Sequence, residues 1–264
     1  MRFYDFEYDG LLLSDMGYIV CDFGSKGLET VNNGADINFN TIPFFYGSKH
    51  ELTNTNYNDC LTATFQICKN PCNDYTEKIT VEEFNLLVYW LNRKKFYKFK
   101  IINNEYEDIF FEASFNIRRI EFGGEIYGLE LEMKTNRPYG LRESVFNSRT
   151  LSAGESLIID DMSNEEGFIY PNIEITLGNN SGTLTIQNSL SSETTVINGC
   201  SAGEKITFKY PMITSSLSAH KKQDAFNWNF PKLINTFSNQ KNEFTFSLGG
   251  IVKITYNPIV KISI

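Results

Sequence analysis

The residues best placed by type to do chemistry in this chain of 264 residues are two histidines, five cysteines and two acidic doublets. His50 sits in a polar stretch. His220 lies in Ser218-Ala219-His220-Lys221-Lys222, which reads as a solvated turn. Neither is accompanied by a serine or cysteine in a nucleophile motif, so acyl-transfer chemistry has no constellation to work with. Cys60, Cys68 and Cys72 form the one cysteine cluster, spaced C-x7-C-x3-C. That spacing matches no paired zinc knuckle, and the reading is buried free thiols rather than a metal site. Asp160-Asp161 and Glu165-Glu166 flank Gly167 without the D-x-D-x-D-G spacing of a calcium loop, and read as a solvated acidic loop. Gly123-Gly124 and Gly249-Gly250 are lone pairs inside strand patterns rather than phosphate cradles. No catalytic, cofactor-binding or metal-ligating residue is assigned, and the chain does not read as an enzyme.

Aromatic side chains are the remaining candidates. Trp228, in Phe226-Asn227-Trp228-Asn229-Phe230-Pro231, could stack on a sugar ring. A sugar platform needs several aligned polar and aromatic groups, so one lone tryptophan leads us to expect no glycan affinity of consequence from this half of the chain. Phe44-Phe45-Tyr46 opens a stretch, Pro43 to Asp59, that continues through Gly47 into a run rich in Asn and Thr. It reads as an extended hairpin or arm. Such an arm either pairs with a neighbouring molecule or lies on its own domain.

The elements that must hold these residues are mostly strands. The exception is Thr80 to Leu91. Thr80-Val81-Glu82-Glu83 has capping-box spacing, and Val81, Phe84, Leu87, Val88 and Leu91 recur at helical period, with Trp90 as core. Asn92-Arg93-Lys94-Lys95 ends the helix. The period then switches to two for a meander of Tyr97–Ile101, Ile109–Ile120 and Ile126–Met133, turned at Asn103-Asn104 and Gly123-Gly124. Before the helix, Arg2–Tyr8, Tyr18–Phe23, Ala35–Ile42 and Leu61–Ile67 read as strands. After Asn136-Arg137-Pro138-Tyr139-Gly140 the composition shifts from Phe, Tyr and charge toward Ser, Thr, Asn, Gly and Ile, which places a domain boundary near Gly140 to Val145. The second half reads as short strands with turn clusters between them, among them Phe168–Thr176, Ile213–Ala219 and Ile251–Ile264, the pattern of a β-sandwich.

Composition narrows the class further. A hydrophobic content of 41% supports a packed core, and a net charge of −8 without a basic stripe argues against a nucleic-acid surface. No apolar run reaches membrane-spanning length, and the acidic, aromatic Met1 to Gly10 is not a signal peptide. Five irregularly spaced cysteines fit folding in a reducing cytosol rather than a disulfide framework.

The chain resembles the distal tail proteins (Dit) of long-tailed bacteriophages. The resemblance rests on the helix ending in Tyr89-Trp90-Leu91, the strand pair Phe96–Ile102 and Ile109–Phe115, and the closing Asn136-Arg137-Pro138-Tyr139. In the second half it rests on Tyr170-Pro171-Asn172-Ile173-Glu174-Ile175, Gly203-Glu204-Lys205-Ile206-Thr207-Phe208, Phe230-Pro231-Lys232-Leu233 and Asn242-Glu243-Phe244. Each motif alone is degenerate, but their order spans nearly the whole chain. One departure is the polar loop Thr236-Phe237-Ser238-Asn239-Gln240, where members often carry glycine.

The resemblance implies a mainly β protein with two domains. Residues 1–140 would be a ring-forming β-barrel or sandwich with one α-helix, and residues 141–264 a galectin-like β-sandwich outside the ring. It implies a homohexamer in the virion tail tip or baseplate, made in the host cytoplasm, that joins the tail tube to the tip. Its partners would be the tail-tube protein, the tape-measure protein and a tail-associated lysin or hub protein. It implies no cofactor, no membrane contact and no nucleic-acid contact beyond passage of DNA through the ring. Phe44, Phe45 and Tyr46 are the interface candidates. The competing reading is a carbohydrate-binding β-sandwich module using Trp228.

Overall fold

The computed structural model describes residues 3–24, 35–44, 49–72 and 78–262. It is mainly β, 54% strand and 9% helical, with one helix longer than a single turn. The chain divides into two compact units, one of Met1–Leu141 with Val260–Ile264 and one of Arg142–Ile259. Where the sequence reading assigned residues 141–264 to the second half, the chain end returns to the first: Val260 is buried in the first unit's core and Ile262 packs against it.

The strands of the first part of the chain are β1 (Phe6–Tyr8), β2 (Leu11–Leu12), β3 (Tyr18–Cys21), β4 (Ile37–Pro43), β5 (His50–Tyr57) and β6 (Thr62–Lys69). After the helix α1 (Val81–Leu91) come β7 (Tyr97–Ile101), β8 (Ile109–Phe122), β9 (Glu125–Thr135) and β10 (Gly140–Arg142). One antiparallel sheet runs in the order β2-β1-β7-β8-β9-β6-β3, while β4 and β5 form a separate two-stranded ribbon. The β8–β9 turn uses Gly123 and Gly124 at φ 62° and 84°, two successive left-handed residues that glycine adopts without steric cost.

Helix α1 starts where the capping box puts it. The Glu83 amide donates to Thr80 Oγ1 at 3.2 Å and the Thr80 amide donates to Glu83 Oε2 at 2.7 Å. Glu83 also takes an ion pair from Lys69 of β6 at 2.8 Å, which ties the helix start to the sheet. The buried face is Leu87, Trp90 and Leu91, whereas Val81, read as part of it, is exposed at the first turn and Phe84 is half-buried beneath the Arg119 guanidinium. Trp90 donates its indole N–H to the Tyr8 carbonyl at 3.1 Å and packs on Phe6. Phe6, Tyr8, Phe65, Phe99 and Phe115 complete an aromatic core of edge-to-face and stacked contacts. Burial pushes the Tyr8 hydroxyl up to about 12, and it donates to the Ala113 carbonyl at 3.2 Å.

The second unit is a two-sheet sandwich around its own core. Its strands are β11 (Val145–Leu151), β12 (Ser156–Asp160), β13 (Gly167–Ile169), β14 (Asn172–Leu177), β15 (Gly182–Asn188), β16 (Thr194–Cys200), β17 (Lys205–Lys209) and β18 (Met212–Ser215). A single-turn helix α2 (Lys222–Ala225) follows, then β19 (Leu233–Asn235), β20 (Lys241–Phe246) and β21 (Gly250–Tyr256); the last strand, β22 (Ile259–Val260), instead pairs with β10 in the first sheet. One sheet runs β11-β21-β14-β17-β18 and the other β12-β20-β15-β16, with β13–β19 as a separate pair. Alternation supplies the shared core: Ile173, Ile175 and Leu177 from β14 and Val252, Ile254 and Tyr256 from β21 belong to one cluster with Leu184, Ile186, Phe244 and Phe246.

Several sequence expectations change here. Phe168–Thr176 is two strands rather than one, because Pro171 interrupts the hydrogen-bonding run and the halves join different sheets. β11 was not read as a strand, since its Asn, Ser, Arg and Thr hide the alternation. The span Ile251–Ile264 breaks at Asn257-Pro258, and Ile213–Ala219 ends at Ser215. The departing loop closes as a tight turn, with Thr236 and Asn239 exchanging backbone bonds at 3.0 and 3.1 Å, and leaves Phe237 exposed.

Candidate assembly surfaces

The β4–β5 ribbon is the most exposed built element of the first unit. β4, expected in the body of the domain, is one leg of the arm, and all seven of its residues are exposed. Paired residues of an antiparallel ribbon share a face. Ile37↔Tyr57 and Phe39↔Thr55 therefore lie on one face, and Asn38↔Asn56 and Asn40↔Asn54 on the other. Past Asn40 the register shifts, so that Thr41 pairs with Leu52. This bulge moves Leu52 onto the Phe39 face; in unbroken register it would have landed with the asparagines.

The result is a two-sided ribbon. One face carries Ile37, Phe39, Leu52 and Tyr57. The other carries the exposed Ile42 past the bulge and an amide ladder, in which Asn40 Nδ2 donates to Asn54 Oδ1 at 2.6 Å and to Asn56 Oδ1 at 3.0 Å. Phe39 is 63% exposed and Leu52 53% exposed, so the unit does not cover its own apolar face. At the base Tyr57 packs edge-on to Tyr139. At the tip the Phe44 amide donates to the Lys49 carbonyl at 3.0 Å, and Phe44 is exposed. Phe45 and Tyr46 lie outside the described residues. His50 pairs with Pro43 at the tip and is exposed. Sequence reasoning fixed on Phe44-Phe45-Tyr46 and passed over Phe39 and Leu52, whose shared face depends on the bulge.

The outer side of α1 adds Leu86 and Tyr89, both exposed.

The titratable clusters turn out to be structural. His220 is not in a solvated turn: its side chain is 9% exposed, Nδ1 lies 2.6 Å from Glu204 Oε1 and Nε2 lies 2.8 Å from the Asn198 carbonyl. Glu204 is buried. Burial alone would raise its carboxyl, but hydrogen bonds from Ser215, His220 and the Ser201 amide outweigh burial and hold it below the usual range. Cys200, Glu204 and His220 bring one donor atom each within 4.8 Å of one another. Burial pushes the Cys200 thiol up to about 11, and the Glu204 oxygens are taken by protein donors, so the trio fits a saturated hydrogen-bond cluster better than a metal's ligand set.

Cys68, opposite Ile19, neighbours Cys21 diagonally across β3 and β6 rather than Cys60 or Cys72. The thiol hydrogen bond between them, together with burial, pushes Cys21 up, while the same bond lowers Cys68. The acidic loop is likewise not all solvated. Asp161 is buried and accepts from the Ser163 amide and hydroxyl and from Asn235 Nδ2, at 2.9 to 3.2 Å.

In the second unit Trp228 is half-exposed and packs on the buried Phe226. Its backbone is left-handed, at φ 59°, a conformation sparsely populated by residues with a Cβ. No helix among the described residues is long and apolar enough to cross a membrane.

Comparison with known proteins gives these surfaces a setting. A family described as "Phage tail protein N-terminal domain" matches residues 1–137, and one described as "Phage tail C-terminal domain" matches residues 139–256. No curated protein matches the sequence. Among solved structures the fold is similar to the Dit protein (gp 19.1) of phage SPP1, described as a paradigm of the hub adsorption apparatus in phages infecting Gram-positive bacteria. The TM-score is 0.67 at 11% identity, over 97% of this chain and 99% of that one. Since the first family spans more than half of its length and the second adjoins it, this chain belongs to the phage tail proteins and has a Dit-like fold.

Proposed function

We propose that this phage tail protein is a structural tail-tip component in which six copies close into a ring joining the tail tube to the tip apparatus. Its partners in this reading are the tail-tube, tape-measure and lysin or hub proteins, and its second unit is a galectin-like sandwich. The ring number and the partners come from the likeness to Dit proteins. The observation that carries the reading is the β4–β5 ribbon, which presents an apolar face, backed by an amide ladder, that its own unit leaves open. A ring needs one repeated head-to-tail contact, and a projecting ribbon docking on the next subunit supplies one patch of such a contact. An interface of this kind buries at least about 1,000 Å² and centres on aromatic anchors, the role given to Phe39 and Phe44.

The test is the mass of the full chain in solution, by light scattering, alone and mixed with tube and hub partners. A hexamer, or a concentration-dependent approach to one, is expected. Replacing Phe44, Phe45 and Tyr46 by serine is expected to shift it toward monomer. A chain that stays monomeric even with its partners overturns the ring.

A further inference from the structure

The second unit gathers aromatic rings that are scattered in sequence. Trp228 contacts Phe226 with centroids 5.5 Å apart; Phe226 contacts Phe230 at 5.0 Å, and Phe230 contacts Tyr210 at 5.3 Å. Tyr210 lies flat on Tyr170 at 4.0 Å with the planes 4° apart, and Tyr170 meets Phe168 edge-on at 5.3 Å. Phe226 and Phe230 are buried, whereas Trp228, Tyr210 and Phe168 are each more than half exposed. The outcome is a connected set of rings: the buried Phe226 and Phe230 back Trp228 and Tyr210, the half-buried Tyr170 backs Tyr210 and Phe168, and the three outward rings keep more than half of their surface exposed.

The set is fixed rather than loose. Asn227 Oδ1 accepts from the Val196 and Asn229 amides at 3.1 and 3.2 Å, and both Asn227 and Asn229 donate side-chain N–H groups to the Thr194 carbonyl. These bonds clamp the Trp228 loop to the edge strand β16 and sustain its left-handed backbone, a local cost that persists only when surrounding contacts over-determine it.

Hydrogen-bonding groups adjoin the rings. At the Phe168 end is an open groove of about 460 Å³, lined in part by Phe168, Ser192, Glu193 and Lys232. Lys232 Nζ sits 5.1 Å from the Phe168 ring centre and 2.7 Å from Glu193, the residue before the clamped Thr194.

We propose that the Phe168–Tyr210–Trp228 ring set and its groove bind a neutral oligosaccharide chain. The exposed parts of the Trp228, Tyr210 and Phe168 rings would pack on pyranose faces, and the Glu193–Lys232 pair and Ser192 hydroxyl would bond to sugar hydroxyls. Flat apolar platforms interleaved with a few fixed polar groups suit a ligand that is itself apolar on its ring faces and polar at its edges. The groove carries the Glu193–Lys232 pair and the Ser192 hydroxyl beside its apolar lining, the mixture that a sugar's hydroxyl edges and apolar ring faces call for. The chain's charge of −8 disfavours a polyanion. The proposal is independent of ring formation and goes beyond it.

The test is a glycan array followed by calorimetry on the full chain with the purified tetrasaccharides that score. Acrylamide quenching of tryptophan emission is read in parallel. Trp90 is buried in the other unit, so the quenchable signal is that of Trp228. Saturable binding is expected, stronger for a tetrasaccharide than for its monosaccharide, with Trp228 protected from quencher. Trp228→Ala and Tyr210→Ser should each weaken binding about tenfold, and Trp228→Phe should restore most of it, all at an unchanged denaturation midpoint. Silence across the array overturns the proposal, as does binding that survives both substitutions. So does a loss of association with another tail protein while sugar binding is unchanged.

Discussion

The double substitution Phe39→Ser with Leu52→Ser asks whether the bulged ribbon holds subunits together. Full burial of a Phe or Leu side chain contributes roughly 1.5–3 kcal/mol. The isolated unit leaves 63% of Phe39 and 53% of Leu52 uncovered, so about half of that contribution is still to be gained from a neighbour. That is about 1–1.5 kcal/mol per residue, or about 2–3 kcal/mol for the pair, which weakens each subunit contact roughly thirty- to 150-fold. The subunit itself should keep its stability, since both side chains are exposed within it and surface substitutions usually stay within about 0.5 kcal/mol. Light scattering over a dilution series reads the first effect and the urea midpoint reads the second. Asn38→Ser with Asn56→Ser, on the opposite face, is the control and should leave assembly nearly intact. If the apolar double variant assembles as tightly as the wild type, or if the control weakens assembly as much, the one-sided ribbon is not the contact. A fall in midpoint corresponding to several kcal/mol of unfolding free energy would mean that the ribbon packs within its own subunit.

Three further outcomes test the packing. Leu87→Ala should lose roughly 2–5 kcal/mol in chemical denaturation, while its neighbour Leu86→Ala should stay within about 0.5 kcal/mol, because α1 buries the first and exposes the second. Asn242→Ala removes a buried amide that accepts from Asn188 Nδ2 and the Ile234 amide and donates to the Ile234 and Gln240 carbonyls. With several buried groups left unpaired it should cost roughly 3–5 kcal/mol, and an effect under 1 kcal/mol, roughly the worth of a single bond, would contradict the network. Glu204 has its carboxyl held below the usual range, so its contribution is fully present above the unfolded carboxylate value near about 4.3 and is lost as pH falls through the lower folded value. Urea midpoints measured down the acid limb should fall less steeply in Glu204→Gln than in the wild type, and parallel slopes would refute the assignment.

What could be read from the sequence was whatever short-range physics enforces. Thr80 and Glu83 are three residues apart, so the capping box forms from local chemistry, and the 3.6 and 2.0 periods mark α1 and the β7–β9 meander. The change of composition near Gly140 reflects two cores with different side-chain inventories.

What only the tertiary structure decided depends on pairings between residues far apart in the chain. The bulge at Asn40 and Thr41 moves Leu52 to the Phe39 face, and no local pattern announces it, because register belongs to the pair of strands rather than to either one. His220 and Asp161 looked solvated among polar neighbours, yet Glu204 from the turn before β17 and Asn235 from β19 pair with them as they are buried. Trp228 stood alone in sequence, and the fold linked Tyr210 to it through the buried Phe226 and Phe230 and Phe168 to Tyr210 through Tyr170. A hydrophobic pattern fixes which side of a strand faces inward, but the company an outward side chain keeps is set by sheet order, and sheet order is a property of the whole chain.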